Sequence, residues 1–124
     1  IHIFGESSTE TPWRLENLLA EFPQVTFVAL DGFGTLDRSR QLTAVARRHS
    51  NVMFDNALML SYSRVGEDFV KSVGSQRLCF GSDLYFDTMF YKHVTWLQAI
   101  KEYAVSERDK ENICSGNARK LFRL

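Results

Sequence analysis

No apolar run in this sequence approaches the ~20 residues needed to cross a bilayer. The first residues do not have the basic-then-apolar layout of a secretory signal. An excess of either charge is missing too: fifteen basic residues balance fifteen acidic ones. That removes the electrostatic footprint expected of a nucleic-acid or membrane-surface binder. Only two cysteines occur, Cys79 and Cys114, one in a strand-like and one in a helix-like stretch. They make neither a disulfide scaffold nor a metal knuckle, so reduced thiols and a cytoplasmic location are the expectation. Repeats of solenoid period, linkers and low-complexity tracts are absent as well. The chain opens in a strand-like Ile1–Phe4 with no initiator methionine, and is therefore expected to be a fragment.

What is present is an ordinary globular composition, 44% hydrophobic and 24% charged. With 124 residues, that suffices for one unit with a buried core. The chain is read as one piece, residues 1–124, without an internal boundary.

The stretch Arg77-Leu78-Cys79-Phe80-Gly81-Ser82-Asp83 organises the reading. A short apolar run, as long as a buried strand core, leads into a glycine, a hydroxyl and a carboxylate. In parallel sheets flanked by helices, ligands collect at C-terminal strand ends. Alternation along a strand puts Asp83, Gly81 and Cys79 on one face and Phe80 and Leu78 on the other. The small Gly81 beneath Asp83 is expected to leave room for a metal or substrate. The competing reading is a plain helix N-cap, for which Ser82 and Asp83 are both suitable types.

The rest of the chain alternates apolar runs with helical stripes. Thr11-Pro12 reads as a cap and first helical residue, with Leu15, Leu18, Leu19 and Phe22 as the stripe and Pro23 as the stop. Val25–Leu30 reads as a strand buried on both faces, followed by Asp31-Gly32-Phe33-Gly34. Leu42, Val45, Ala46 and His49 mark the next helix, with His49 a half-buried helix-end residue. Val52–Phe54 is a strand ending in Asp55-Asn56. Tyr62, Val65, Phe69, Val70 and Val73 mark a third helix, closed by Gly74. Phe90, Val94 and Leu97 mark a fourth, in which His93 takes a solvated or capping role. Ser106–Asp109 is a capping-box signature. Gly116 is expected to end that helix, and Asn117 to cap a last turn.

Four such units predict an α/β fold, with parallel strands near residues 1–4, 25–31, 51–55 and 77–81 and a helix after each. His2, Asp31, Asp55 and Asp83 then fall near one edge of the sheet. That clustering, which follows from topology alone, is the residue-level argument for a site.

Four segments, in order, resemble one family: Phe22-Pro23-x-Val25-x-Phe27-Val28, Asn51-Val52-x-Phe54-Asp55, Arg77-Leu78-x-Phe80-Gly81-Ser82-Asp83 and Asn112-Ile113-x-x-Gly116-Asn117-Ala118-x-x-Leu121-Phe122. They look like the C-terminal half of the amidohydrolase-related (amidohydrolase family 2) metal-dependent hydrolases. That group includes certain aryl and lactone hydrolases and some decarboxylases. The resemblance implies a (β/α)8 TIM-barrel-type fold, of which this chain supplies four parallel β–α units. It implies a metal-activated water attacking a carbonyl-type carbon of a small organic substrate. Asp83 matches the eighth-strand aspartate, which touches the metal and takes the proton from its water. His2 is the nearest match to the fifth-strand histidine, with one residue more before Gly5 than is usual. Asp31 stands where the sixth-strand histidine is expected. The implied metal set is thus His2, Asp31 and Asp83, the implied ion divalent and expected to be zinc, and the catalytic residue Asp83.

Cys79 is read as filling the barrel interior, and Asp55 as hydrogen-bonding loops at the mouth. The inward face is expected to carry Phe27, Ala29, Met53 and Cys79, and to need a second half-barrel or a homo-oligomer to cover it. No nucleic-acid or membrane partner is expected. Two other readings stand beside this one. A catalytically silent half-barrel serving assembly fits the missing first half. A haloacid-dehalogenase-like phosphatase using Asp31 fits Val28-Ala29-Leu30-Asp31-Gly32-Phe33-Gly34-Thr35-Leu36, with Gly81-Ser82-Asp83…Asp87 imitating its magnesium segment, although Phe33 occupies the position of the second acid.

Overall fold

The computed structural model describes residues 1–5, 7–59, 64–83 and 93–124. Among these residues three strands, β1 (Phe27–Ala29), β2 (Val52–Asp55) and β3 (Leu78–Cys79), pair in the order β1-β2-β3, and both pairings are parallel. The N-terminal segment lies outside β1 through a single parallel bridge, His2 to Leu30. There Ile3 N–H donates to the Leu30 carbonyl at 2.9 Å and Leu30 N–H to the Ile1 carbonyl at 2.8 Å. The predicted four parallel segments are therefore present, with the first reduced to a bridge.

Helices α1 (Pro12–Glu21), α2 (Leu36–Arg48) and α3 (Val65–Val73) follow the N-terminal segment, β1 and β2 in turn. Pro12 occupies the first turn of α1, where a missing N–H costs nothing, and Leu15 and Leu19 are buried beneath it. Thr35 caps α2, accepting from Arg38 N–H. The core is centred on Phe33, Phe54 and Phe69, each fully buried. Their rings meet edge-to-face with centroids 5.3, 5.4 and 5.6 Å apart, the arrangement the ring quadrupole favours. Phe33 is thus a core residue, which accounts for the break in the dehalogenase-like motif.

Two of the motif asparagines are structural ties. Asn51 donates its amide to the carbonyls of Leu19 and Phe22, both at 3.1 Å, which ties the end of α1 to the start of β2. Asn117 donates to the carbonyls of Ser75 and Leu78, both at 2.7 Å.

The second tie corrects an expectation. Gly116 does not end a helix: at φ −58° it continues one, and Asn117 is no cap. α5 (Glu107–Glu111) runs through a π-helical turn (Asn112–Gly116) directly into α6 (Asn117–Phe122). Within the widened turn, the Ile113 carbonyl accepts from Phe80 N–H at 2.8 Å, so the helix is bonded to the end of β3. Asn117→Ala should lower stability by about 1–3 kcal/mol, the usual loss when a buried hydrogen-bonded amide is removed. The check is a lower urea midpoint at unchanged slope.

The pairing register also corrects the assignment of faces. Phe27 sits opposite Val52 and Ala29 opposite Phe54, while Val28 sits opposite Met53 and Asp55 opposite Cys79. Side chains alternate, so Phe27 and Ala29 face the helices with Val52, Phe54 and Leu78. Val28, Leu30, Met53, Asp55 and Cys79 share the other face. Only Met53 and Cys79 of the four expected inward residues belong there. On that face Leu30 is 39% exposed, whereas Ala29 on the helix side is fully buried.

A buried carboxylate, Glu67, ties α3 to the end of α4 (His93–Glu102): it pairs with Arg64 and Lys71 and accepts from Ala104 N–H at 3.0 Å. Those contacts, Lys71 first, pull its pKa down to about 2. Tyr62, Phe90 and the His93 side chain, read above as helix residues, lie outside what is described, as does Asp87. No described helix is long and apolar enough to cross a membrane.

Candidate active-site edge

The C-terminal ends of the parallel strands gather acids. Beyond β1 the chain turns at Asp31, whose φ of +60° is the left-handed conformation that aspartate tolerates better than most residues. The turn aims Asp31 N–H at Asp55 Oδ1, 2.9 Å away. Asp55 ends β2 and is buried, so its carboxylate holds the Asp31 loop, as expected of a residue bonding loops at the mouth.

Asp31 Oδ2 lies 3.2 Å from His2 Nε2, and the other ring nitrogen, Nδ1, lies 3.4 Å from Glu10 Oε1. Glu10 Oε2 in turn accepts from Gly5 N–H at 3.0 Å. His2 is therefore held between two carboxylates. Glu10 was not legible as a site residue: it lies in a polar loop with no motif, and only the three-dimensional path of that loop brings it to His2.

The electrostatics are those of crowded, partly dehydrated acids. Burial raises the Asp31 pKa, the charge of Asp83 raises it further, and His2 opposes both. Asp55 is pushed up to about 7, chiefly by burial; the Asp31 N–H opposes this, and the charges of Asp31 and Asp83 add to it. Cys79 rises to about 11, through burial and then the charge of Asp55. A thiol so disfavoured as thiolate is no nucleophile, and filling the interior is its role.

Asp83 follows β3 at φ +45°. The space expected beneath it at Gly81 is not free. A Cβ on Gly81 would lie 2.5 Å from Asp55 Oδ2, so the glycine makes way for the Asp55 carboxylate and not for a ligand. Gly81 N–H donates to Asn56 Oδ1 at 2.9 Å, which fixes this approach. Whether Ser82 or Asp83 caps a helix falls outside the described residues.

Of the three candidate metal donors, His2 and Asp31 are in contact, and Asp83 lies within electrostatic reach of Asp31. Among the described residues no three of His, Cys, Asp or Glu gather closely enough to hold an ion. Imidazole and carboxylate are donor types that suit zinc, but the pair is short of the three protein ligands a catalytic zinc takes. A divalent ion at this edge needs further donors from outside the described residues.

The amidohydrolase family profile matches residues 5–124. The chain belongs to the amidohydrolase family. Members of this family generally use divalent metals. The structure is similar to that of 2,6-dihydroxybenzoate decarboxylase from Rhizobium, at a TM-score of 0.63 and 16% sequence identity. That match covers 90% of this chain and 39% of the decarboxylase, so the chain spans well under half of that enzyme's length. At this identity the likeness is one of fold: parallel β–α units forming part of an amidohydrolase-type barrel. Comparison with the curated proteins gives no match. Membership of this family leaves the dehalogenase-like reading without support, since Phe33 also removes its second acid.

Proposed function

We propose that this chain is the C-terminal half of a metal-dependent amidohydrolase-type enzyme, a hydrolase or decarboxylase acting on a small organic substrate. The observation that carries the reading is the convergence of Asp31, Asp55 and Asp83, from three successive strand ends, on one edge of the sheet. Asp83 is the proton acceptor and later the donor, being the acid that continues β3 beyond the buried pair. Asp55 holds the Asp31 backbone, and Asp31 and Glu10 orient His2. His2 and Asp31 contribute donors to the ion, zinc by donor type. When bound, such an ion lowers the pKa of its water towards ~7 and polarises a carbonyl. The strand face carrying Val28 and Leu30 is covered by the other half of a barrel.

Two probe reactions test this in the full protein: release of carbon dioxide from 2,6-dihydroxybenzoate, the compound named by the structural relative, and hydrolysis of an aryl lactone. Turnover of either, abolished by a chelator and restored by zinc, is the expected result. Absence of metal-dependent turnover on both would favour the second reading, a catalytically silent assembly module. That reading has the lack of a three-donor group among the described residues in its favour.

A further inference from the structure

The opposite end of the sheet carries the opposite charge. A cavity of ≈ 440 Å³ opens at the N-terminal ends of the strands, where Thr26 precedes β1, Ser50 precedes β2 and Gln76 and Arg77 precede β3. Lys120 and Arg123, from the end of α6, close its other side. Among the described residues its lining holds three cationic side chains and no acid.

None of the three cations has a counter-ion among the described residues. Arg77 is half-buried, and its guanidinium spends Nε on the Val52 carbonyl and one Nη on the His49 carbonyl, both at 2.7 Å. Its other Nη makes no hydrogen bond among the described residues. Burial lowers the Arg77 pKa, and no acid among the described residues opposes the shift. Asn117 also lines the cavity, but its amide is committed to Ser75 and Leu78. Met53 and Leu121 supply an apolar wall.

We propose that this cavity binds a small phosphate-bearing ligand, its oxyanion held by Arg77, Lys120 and Arg123 and its apolar part set against Met53 and Leu121. A fork-shaped guanidinium beside an ammonium and hydroxyls is the donor set that suits a phosphate's several acceptor oxygens. The volume suits a small molecule. The site stands at the strand ends remote from Asp31 and Asp83, on the rim that in barrels governs stability and not chemistry. Its ligand is therefore an effector and not the substrate.

Calorimetric titration of the full protein with inorganic phosphate and with pyrophosphate, at constant ionic strength, tests this. Saturable one-to-one binding of pyrophosphate is expected, tighter than that of phosphate. Lys120→Ala and Arg123→Ala, both exposed and so harmless to folding, should each weaken it about tenfold or more. Arg119→Ala removes an exposed charge from the same helix outside the cavity and should leave the affinity unchanged. Lack of saturable binding, or an equal loss in all three variants, would overturn the assignment.

Discussion

Raising the pH from about 4 to about 7 is expected to destabilise the metal-free protein, and Asp55→Asn is expected to abolish most of that loss. In the unfolded chain an aspartate ionises near pH ~4. In the folded protein, burial and two neighbouring acids hold the Asp55 proton until about pH 7. Between those values the folded state binds more protons than the unfolded state, so stability falls as pH rises. Three pH units correspond to on the order of 4 kcal/mol at most. Asp31, also raised, acts in the same direction. Glu67, lowered to about 2, acts at more acid pH, losing its contribution as pH falls towards that value.

Asparagine keeps an Oδ1 to accept from Asp31 N–H and carries no charge. The variant should therefore match the wild type near pH 4 and melt higher near pH 8. Melting temperatures across that range provide the check. Parallel profiles would mean that Asp55 carries an ordinary carboxylate.

The sheet could be read from the sequence because its signals are local. Val52–Phe54 and Leu78–Phe80 are short apolar runs between a helical stripe and a polar turn, and such runs have few other uses in a chain of this length. The assignment of faces failed because facing depends on register, which is a relation between strands. Nothing within Val25–Leu30 says that Phe27 lies beside Val52 and not beside Met53. Gly116 misled for a similar reason. Glycine usually stops a helix, but here the pull of Ile113 and Asn117 on β3 carries the helix past it.

At the candidate site, the alignment of Asp31, Asp55 and Asp83 was legible because parallel topology puts all strand ends on one side. Glu10 was not, since its place depends on a loop fold. Neither was the filling of the Gly81 space, which depends on the rotamer of Asp55. The bonds of Asn51 and Asn117 show that two of the motif's polar residues serve the scaffold, while Asp83 makes no such bond among the described residues.

That freedom makes Asp83 the place to test the account. Its carboxylate makes no hydrogen bond among the described residues, and its φ of +45° is one that asparagine adopts readily. Asp83→Asn should therefore fold as the wild type does, while being unable to take a proton. Loss of a general base costs roughly 10²–10⁴-fold in turnover. The decisive measurement is kcat of Asp83→Asn against wild type in the full protein with zinc, on whichever probe reaction turns over, alongside both melting temperatures. The account predicts a fall in kcat of that size with an unchanged melting temperature; full activity in the variant would contradict it.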